Sequence, residues 1–198
     1  YLSNDSSGRM GFALAAAAAR RGAHVTLVAG PVQLATPAGV ERVDVESARD
    51  MQAAVMSAVG GGCDLFIGAA AVADYRPALM QPHKIKKADG AALQLILEEN
   101  PDIIASVAAL PVPPFTVGFA AETRDLEYHA RSKLERKSLD MVIGNDVSRR
   151  DIGFNSDYNE VLVVTRNGCR GLPRQLKVDL ADALIGQIAL EYARHRAG

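Results

Sequence analysis

An acidic residue and an arginine follow an apolar run in the middle of the chain, and lysines come soon after them. Leu65, Phe66 and Ile67 continue into small residues, and Asp74 and Arg76 come next. Such an apolar run is typical of a central strand buried on both faces, and ligands of open α/β sheets bind beyond the carboxyl ends of such strands. The pattern therefore predicts a ligand site here, and the lysines predict a phosphorylated ligand.

The lysines Lys84, Lys86 and Lys87 stand in a segment with little apolar content. In an extended arm, Lys84 and Lys86 would point to the same side and could close over a polyphosphate. A solvated run of charges explains the same composition equally well. The residue types alone leave both interpretations open.

Two further lysines, Lys133 and Lys137, lie one turn apart in a predicted helix over residues 126–137. Like charges at this spacing repel each other by a few tenths of a kcal/mol, unless an anion lies between them. An exposed helix face is the alternative interpretation. Asp74 could bind a metal ion or a ribose hydroxyl, or cap the next turn; its place after a buried strand favours the ligand role.

The polar loop over residues 3–8 precedes a predicted helix over residues 10–21, which Ser6 or Ser7 would cap and Gly22 would end. The free N–H groups of a helix N-terminus favour an anion, although a capping loop needs no ligand. Neither the three-glycine Rossmann fingerprint nor the G-x-x-x-x-G-K-[ST] phosphate loop occurs. The four histidines form no pattern that would support a Ser-His-Asp set.

Helical and strand patterns alternate along the chain, which is typical of an α/β fold with a largely parallel sheet. We expect strands over residues 25–28, 40–45, 65–67, 92–97, 115–120 and 141–143, and a hairpin from 160 to 176 around the Asn167-Gly168 turn. Further helices are expected from Ser47, from the loop over residues 100–102 to Leu110, and along the face of Leu180 and Leu184. No linker divides residues 1–198 into two domains.

Composition excludes some functions. With 48% hydrophobic residues, 23% charged residues and a net charge of −1 over 198 residues, the chain has no field that would attract nucleic acid or a membrane surface. Cys63 and Cys169 lie far apart without metal-ligand spacing, which favours a reducing cytoplasm and argues against a zinc site. No apolar run is long enough to span a bilayer, and we expect no secretory signal.

Six blocks in order resemble bacterial phosphopantothenate–cysteine ligase, the C-terminal half of the bifunctional coenzyme A biosynthesis flavoprotein. These blocks are residues 3–11, 69–76, 84–87, 100–103, 117–123 and 145–148, and the resemblance continues through residues 153–157 into the last helix. The family's first strand and glycine-rich turn would lie upstream of Tyr1, as would the flavin-dependent decarboxylase half. Arg9 stands where the family often has lysine, which keeps the charge but changes the donor geometry.

The resemblance implies that the carboxylate of 4'-phosphopantothenate attacks the α-phosphate of CTP, giving an acyl-cytidylate and pyrophosphate. The amine of L-cysteine then displaces CMP to form the amide. Asn4 would hold the pantothenoyl carbonyl and promote the second step, and Lys84 would be the other catalytic residue. The implied nucleotide site comprises Ser6, Gly68, Ala69, Ala70, Asp74, Lys84, Asn100, Pro101, Asp102, Ile103, Phe119, Lys133 and Lys137.

The resemblance also implies a three-layer α/β/α Rossmann-like domain whose sheet is extended by a C-terminal β-hairpin, a homodimer, and a covalently linked decarboxylase domain in the full-length protein. Magnesium is expected with the triphosphate, without assigned ligands. The residues alone do not decide between CTP and ATP. A dinucleotide-dependent oxidoreductase and a nucleotide-binding module without catalysis are the alternatives.

Overall fold

The computed structural model describes residues 4, 6–79, 83, 93–148 and 156–197. Its helices are α1 (Arg9–Arg20), α2 (Ala48–Gly60), α3 (Ile103–Ala108), α4 (Leu126–Arg136) and α5 (Lys177–Ala197). Its strands are β1 (Val25–Ala29), β2 (Val40–Asp44), β3 (Leu65–Gly68), β4 (Tyr75–Pro77), β5 (Leu97–Glu99), β6 (Phe115–Glu122), β7 (Met141–Asp146), β8 (Tyr158–Thr165) and β9 (Gly168–Leu176).

A five-stranded sheet in the order β3-β6-β7-β8-β9 forms the centre of the molecule. The first three strands run parallel to one another, and β8 and β9 add an antiparallel hairpin. Val117 lies opposite Met141, and Met141 lies opposite Thr165. The expected parallel sheet with a C-terminal hairpin is therefore confirmed.

Successive residues of β7 point to opposite faces of the sheet, and both faces are covered by helices. On one face, Met141 and Ile143 are fully buried with Leu184 of α5 and residues of α1. On the other face, Val142 is fully buried against Leu134 of α4. Because apolar residues occupy both faces, β7 reads as a continuous apolar run, and the three-layer architecture follows.

Strand β3 was expected to be central and buried on both faces, and this expectation was wrong. In the described residues β3 pairs only with β6, so it is an edge of the five-stranded sheet, and Leu65 to Gly68 are only half-buried. Strands β1 and β2 form a separate parallel pair. Even so, Val28 of β1 and Phe66 of β3 pack in one cluster with Val55 of α2.

Local chemistry determines where helices begin and end. The α1 helix ends as predicted at Gly22, where a φ of 86° and two bonds, from Gly22 N–H to the Ala19 carbonyl and from Ala23 N–H to the Ala18 carbonyl, form a Schellman motif. Its N-cap is Gly8 with a φ of 70°, so the serine cap expected there was wrong. The hydroxyl of Ser6 instead accepts from the Gly8 N–H at 3.4 Å.

One predicted element begins where it was expected, and another does not. Ser47 caps α2 and exchanges hydrogen bonds with Asp50, forming a capping box. The strand expected over residues 92–97 is β5, which begins only at Leu97 and pairs with β4. No helix in the described part of the chain is long and apolar enough to cross a bilayer.

Candidate functional site

The chain that leaves β3 meets the N-terminus of α1. Asn4 donates from Nδ2 to the Val72 carbonyl at 3.1 Å. A side chain on Gly11, in the first turn of α1, would come within 3.9 Å of the Ala69 methyl group. The predicted residues Asn4 and Ala69 therefore belong to one region, at the carboxyl end of β3.

Helix α3 covers the end of β3 and the middle of β6, and two glycines allow its close approach. A Cβ on Gly68 would lie 3.1 Å from Ile104 Cδ1. On Gly118, directly opposite Gly68 in the parallel pair, a Cβ would lie 2.9 Å from the same atom. A larger residue at either position would force the Ile104 side chain to shift, so these glycines allow α3 to pack closely against the sheet.

Two lysines of α4 reach the same place. Lys133 Nζ donates to the Phe119 carbonyl, which lies one residue beyond Gly118. Lys137 Nζ lies 2.8 Å from Asp102 Oδ2. Asp102 is the N-cap of α3 and accepts from the Ala105 N–H at 3.1 Å. The structure therefore brings together Phe119, Asp102 and both lysines, which lie far apart in the sequence.

The surroundings lower the pKa values of both Lys133 and Asp102, for different reasons. Burial lowers the pKa of Lys133, and the positive charge of Lys137 lowers it further. Burial by itself would raise the pKa of Asp102, but hydrogen bonds from Lys137 and from the Ala105 N–H bring it below its ordinary value. A cation with little hydration is strongly attracted to an anion that enters its surroundings, which suits a phosphate site.

Asn100 joins the loop after β3 to the start of α3. Its N–H donates to the Asp74 carbonyl at 2.7 Å, and its Nδ2 donates to the Ala73 carbonyl at 2.8 Å. Pro101 and Asp102 follow and lead directly into α3. The segment that was predicted from the Asn-Pro-Asp sequence to open a helix is thus bonded to the loop that carries Asp74.

The predicted site residues differ in their exposure. Ala70 and Asp74 are exposed, Asn100 and Pro101 are half-buried, and Ile103 is buried in the cluster beneath α2. Lys84, and with it Lys86 and Lys87, lies outside the described residues. Sequence reasoning missed the Asp102–Lys137 ion pair, and it placed Arg76 at the predicted ligand site without assigning it a role of its own. Arg76 follows Asp74 by two residues, which was the only signal for it.

Two cavities lie elsewhere. One of about 370 Å³ lies between α4 and the β8–β9 turn and is lined by Arg131, Ser138 and Arg166 among others. Another of about 490 Å³ is lined by residues that include Leu126 and Leu172. Neither is lined by a residue predicted to bind the nucleotide. The predicted residues that the structure describes lie outside these two cavities, around the carboxyl ends of β3 and β6.

The molecule is a Rossmann-like α/β protein. It has parallel strands with helices on both faces, and polar groups lie beyond the end of β3. The chain belongs to the family of DNA/pantothenate metabolism flavoprotein C-terminal domains, which matches residues 1–191. The family relationship expected from the six sequence blocks is therefore confirmed.

Proteins similar to this chain include the coenzyme A biosynthesis bifunctional protein CoaBC of Escherichia coli K12, which is 52% identical over 97% of this chain and 48% of that protein. CoaBC of Vibrio cholerae is 54% identical over 93% of this chain and 47% of that protein. The chain thus spans about half the length of these relatives. The crystal structure of the C-terminal domain of a CoaBC matches with a TM-score of 0.79 and 34% identity, covering 96% of this chain and 85% of that one.

Proposed function

We propose that this chain catalyses the CTP-dependent ligation of 4'-phosphopantothenate with L-cysteine in coenzyme A biosynthesis. The observation that carries the proposal is the cluster of Lys133, Lys137 and the Phe119 carbonyl beside the N-terminus of α3, in a chain of this family. The similar CoaBC proteins are named for coenzyme A biosynthesis, which supports the same pathway.

The proposed reaction has two steps. The carboxylate of 4'-phosphopantothenate attacks the α-phosphorus of CTP, forming an acyl–phosphate bond and releasing pyrophosphate. The amine of cysteine then attacks the acyl carbon, loses a proton, and releases CMP as the amide bond forms. Activation is needed because a free carboxylate has a poor leaving group, whereas the mixed anhydride has a good one. Positioning and charge neutralisation are the main contributions that such chemistry asks of the protein.

The lysines would neutralise the triphosphate. Lys133 and Lys137 are cations beside the N-terminus of α3, and the low hydration of Lys133 strengthens its interaction with phosphate oxygens. Lys84 would supply a further charge. The nucleoside would lie along Gly68, Ala69 and Ala70 on one side, with the side chain of Asp74 available for a ribose hydroxyl. Ser6, Asn100, Pro101, Ile103 and Phe119 would complete the pocket.

Asn4 would act on the second substrate. Its side chain is exposed and is held against the loop after β3 by the hydrogen bond to the Val72 carbonyl. An amide at this position can donate to the carbonyl of the acyl-cytidylate as negative charge develops on its oxygen. We therefore assign Asn4 to substrate binding and to amide formation.

Magnesium would enter with the triphosphate and screen its charge. Among the described residues, no group of three or more histidine, cysteine, aspartate or glutamate side chains is arranged to hold a metal ion. These residues therefore offer no dedicated protein cage, and no ligand is assigned.

The homodimer and the linked decarboxylase domain are part of the proposal. Large apolar side chains are exposed on and beside the β4–β5 pair, a surface that a second copy of the chain would cover. They are Tyr75, Leu79, Leu93, Leu95, Ile96 and Leu97. The relatives are bifunctional proteins of about twice this length, which supports a linked second activity. The single domain over residues 1–198 and the cytoplasmic location stay predictions.

Pyrophosphate release tests the proposed function. With 4'-phosphopantothenate and CTP but no cysteine, we expect release of pyrophosphate; adding cysteine should give CMP and the amide. Parallel assays with ATP decide the choice of nucleotide. Binding of CTP without pyrophosphate release would indicate a binding module instead. Binding of NADPH rather than CTP would favour the oxidoreductase alternative.

A further inference from the structure

The β4–β5 pair carries an arginine that is directed at the start of α3. Arg76 lies opposite Glu98 in the antiparallel register, and its Nη2 forms an ion pair with Glu98 Oε1 at 2.7 Å. Its Nη1 donates to the Glu99 carbonyl and, at 3.1 Å, to Asn100 Oδ1. Arg76 therefore contacts three consecutive residues of the chain that leads into α3.

These bonds fix the orientation of the Asn100 side chain. A guanidinium has only donors, so the amide oxygen of Asn100 must face Arg76. The Ala73 carbonyl has only acceptor capacity, so the Asn100 nitrogen must face the loop after β3, to which it donates at 2.8 Å. A flipped amide would place donor against donor and acceptor against acceptor. Arg76 and the Ala73 carbonyl thus hold one orientation of Asn100 between them.

Arg76 is also the more enclosed of two arginines on the same carboxylate. Its side chain is 24% exposed, whereas Arg49 of α2 lies 3.3 Å from Glu98 Oε1 with a side chain that is 65% exposed. Arg76 Nε is buried and has no hydrogen-bond partner among the described residues. Removing a guanidinium from water costs free energy, and Arg76 shares its ion-pair partner Glu98 with Arg49. The hydrogen bonds to the Glu99 carbonyl and to Asn100 therefore contribute to offsetting that cost.

We propose that Arg76 is a positioning residue for the nucleotide site, acting through Asn100. By locking the Asn100 amide, it holds the loop over residues 69–74 at a fixed distance from the N-terminus of α3. Asp102 follows Asn100 by two residues and pairs with Lys137, so the segment that Arg76 holds also carries the partner of a proposed phosphate-binding lysine. This inference rests on the proposed function, because it specifies how the nucleotide pocket of that site is preorganised.

The test compares Arg76→Lys with Arg49→Lys in the purified protein. Lysine at position 76 keeps the charge opposite Glu98 but lacks the planar fork that reaches Glu98, Glu99 and Asn100 together. We expect Kd and KM for CTP to rise about tenfold in Arg76→Lys, with kcat and the KM for cysteine within about twofold of wild type. Arg49→Lys should leave all four values within about twofold.

A double-mutant cycle separates action through Asn100 from a general loss of charge. Once Asn100→Ala is present, adding Arg76→Lys should weaken CTP binding by less than about twofold. Three results would each overturn the proposal. The first is full additivity in the cycle, and the second is an equal loss of CTP affinity in Arg49→Lys. The third is an unchanged Kd for CTP in Arg76→Lys at an unchanged Tm.

The orientation of the amide is checked without any nucleotide. In the NMR spectrum of protein labelled at asparagine, Arg76→Lys should shift the Asn100 side-chain NH2 signals, and Arg49→Lys should not. Unchanged Asn100 signals in Arg76→Lys would overturn the positioning role even if the protein binds no CTP. Shifted signals in a protein that binds no CTP would support that role and contradict the proposed function alone.

Discussion

Lys137 and Asp102 form an ion pair with an Nζ–Oδ2 distance of 2.8 Å, which joins the end of α4 to the N-cap of α3. The sequence predicts that Lys133 and Lys137 repel each other unless an anion lies nearby. In the structure that anion is a carboxylate of the protein itself. Ligand-free protein therefore already compensates part of the charge that a triphosphate would meet.

Asp102→Asn should lower the free energy of unfolding by about 0.5–1 kcal/mol at pH 7, the range for a partly exposed ion pair. Asparagine remains a good N-cap, so the loss reports the charge and not the cap. Urea denaturation measures it. Lys137→Gln should cost a similar amount, and the double variant little more. Additive losses would contradict the pairing.

The same pair gives a pH dependence with a defined sign. The pKa of Asp102 is lower in the folded protein than its ordinary value of 3.8. Its contribution is therefore complete above that ordinary value and is lost as the pH falls through the folded pKa. The difference in unfolding free energy between wild type and Asp102→Asn should disappear at the acid end of this window. A difference that persists there would show that the carboxylate charge is not its source.

Lys133→Met should be as stable as wild type or slightly more stable at pH 7, because it removes a poorly hydrated charge and keeps an apolar stem. The folded pKa of Lys133 lies below its ordinary value of 10.5, so the unfolded state binds more protons between the two values. The free energy of unfolding of the wild type should therefore increase relative to that of Lys133→Met as the pH rises through this window. Urea denaturation at several pH values checks this; an advantage of Lys133→Met that grows with pH would contradict it.

The sequence predicted the α/β class and most elements, because apolar runs, glycine stops and capping residues act locally; the three layers were implied by the family resemblance. The helix start at Ser47 and the helix end at Gly22 are examples that the structure confirms. The position of β3 at a sheet edge was not predictable, because the residues of an apolar run do not show whether the strand pairs on one side or on both. The pairing of Asp102 with Lys137 joins residues 35 positions apart, for which no local pattern exists.

Lys133→Gln and Lys137→Gln should each weaken CTP binding about tenfold, because each would remove one of the proposed charge-assisted contacts with phosphate. Titration calorimetry at low salt measures the change. Arg136→Gln is the matched control, since Arg136 is a neighbouring cation of α4 that is exposed and has no ion pair among the described residues. A loss of equal size in Arg136→Gln would indicate a general electrostatic effect and not specific phosphate contacts.

Gly118→Ala should lower the free energy of unfolding by about 1–3 kcal/mol, the usual cost of overpacking. A methyl group there would lie 2.8 Å from Cδ1 of the fully buried Leu139 and 2.9 Å from Cδ1 of the partly buried Ile104, so both side chains would have to shift. Gly171→Ala in β9 is the control, because nothing lies within 4 Å of its added Cβ. Urea denaturation of both variants should separate them; equal stabilities would show that the Leu139 and Ile104 side chains can shift at little cost.

Asn4→Asp should retain the first half-reaction and let the acyl-cytidylate accumulate. In the proposed reaction, pyrophosphate release needs the carboxylate and the triphosphate, and Asn4 is not assigned to either. Amide formation instead places negative charge on the acyl oxygen, where a carboxylate at position 4 would repel it. Losing such a donor costs about 100- to 1000-fold in rate. Quenched-flow chromatography should therefore show near-normal pyrophosphate release and slow CMP release.

Asn4→Ala, which lacks the donor but adds no charge, should slow the same step less. Equal losses in both half-reactions would contradict this role and place Asn4 in CTP or substrate binding instead.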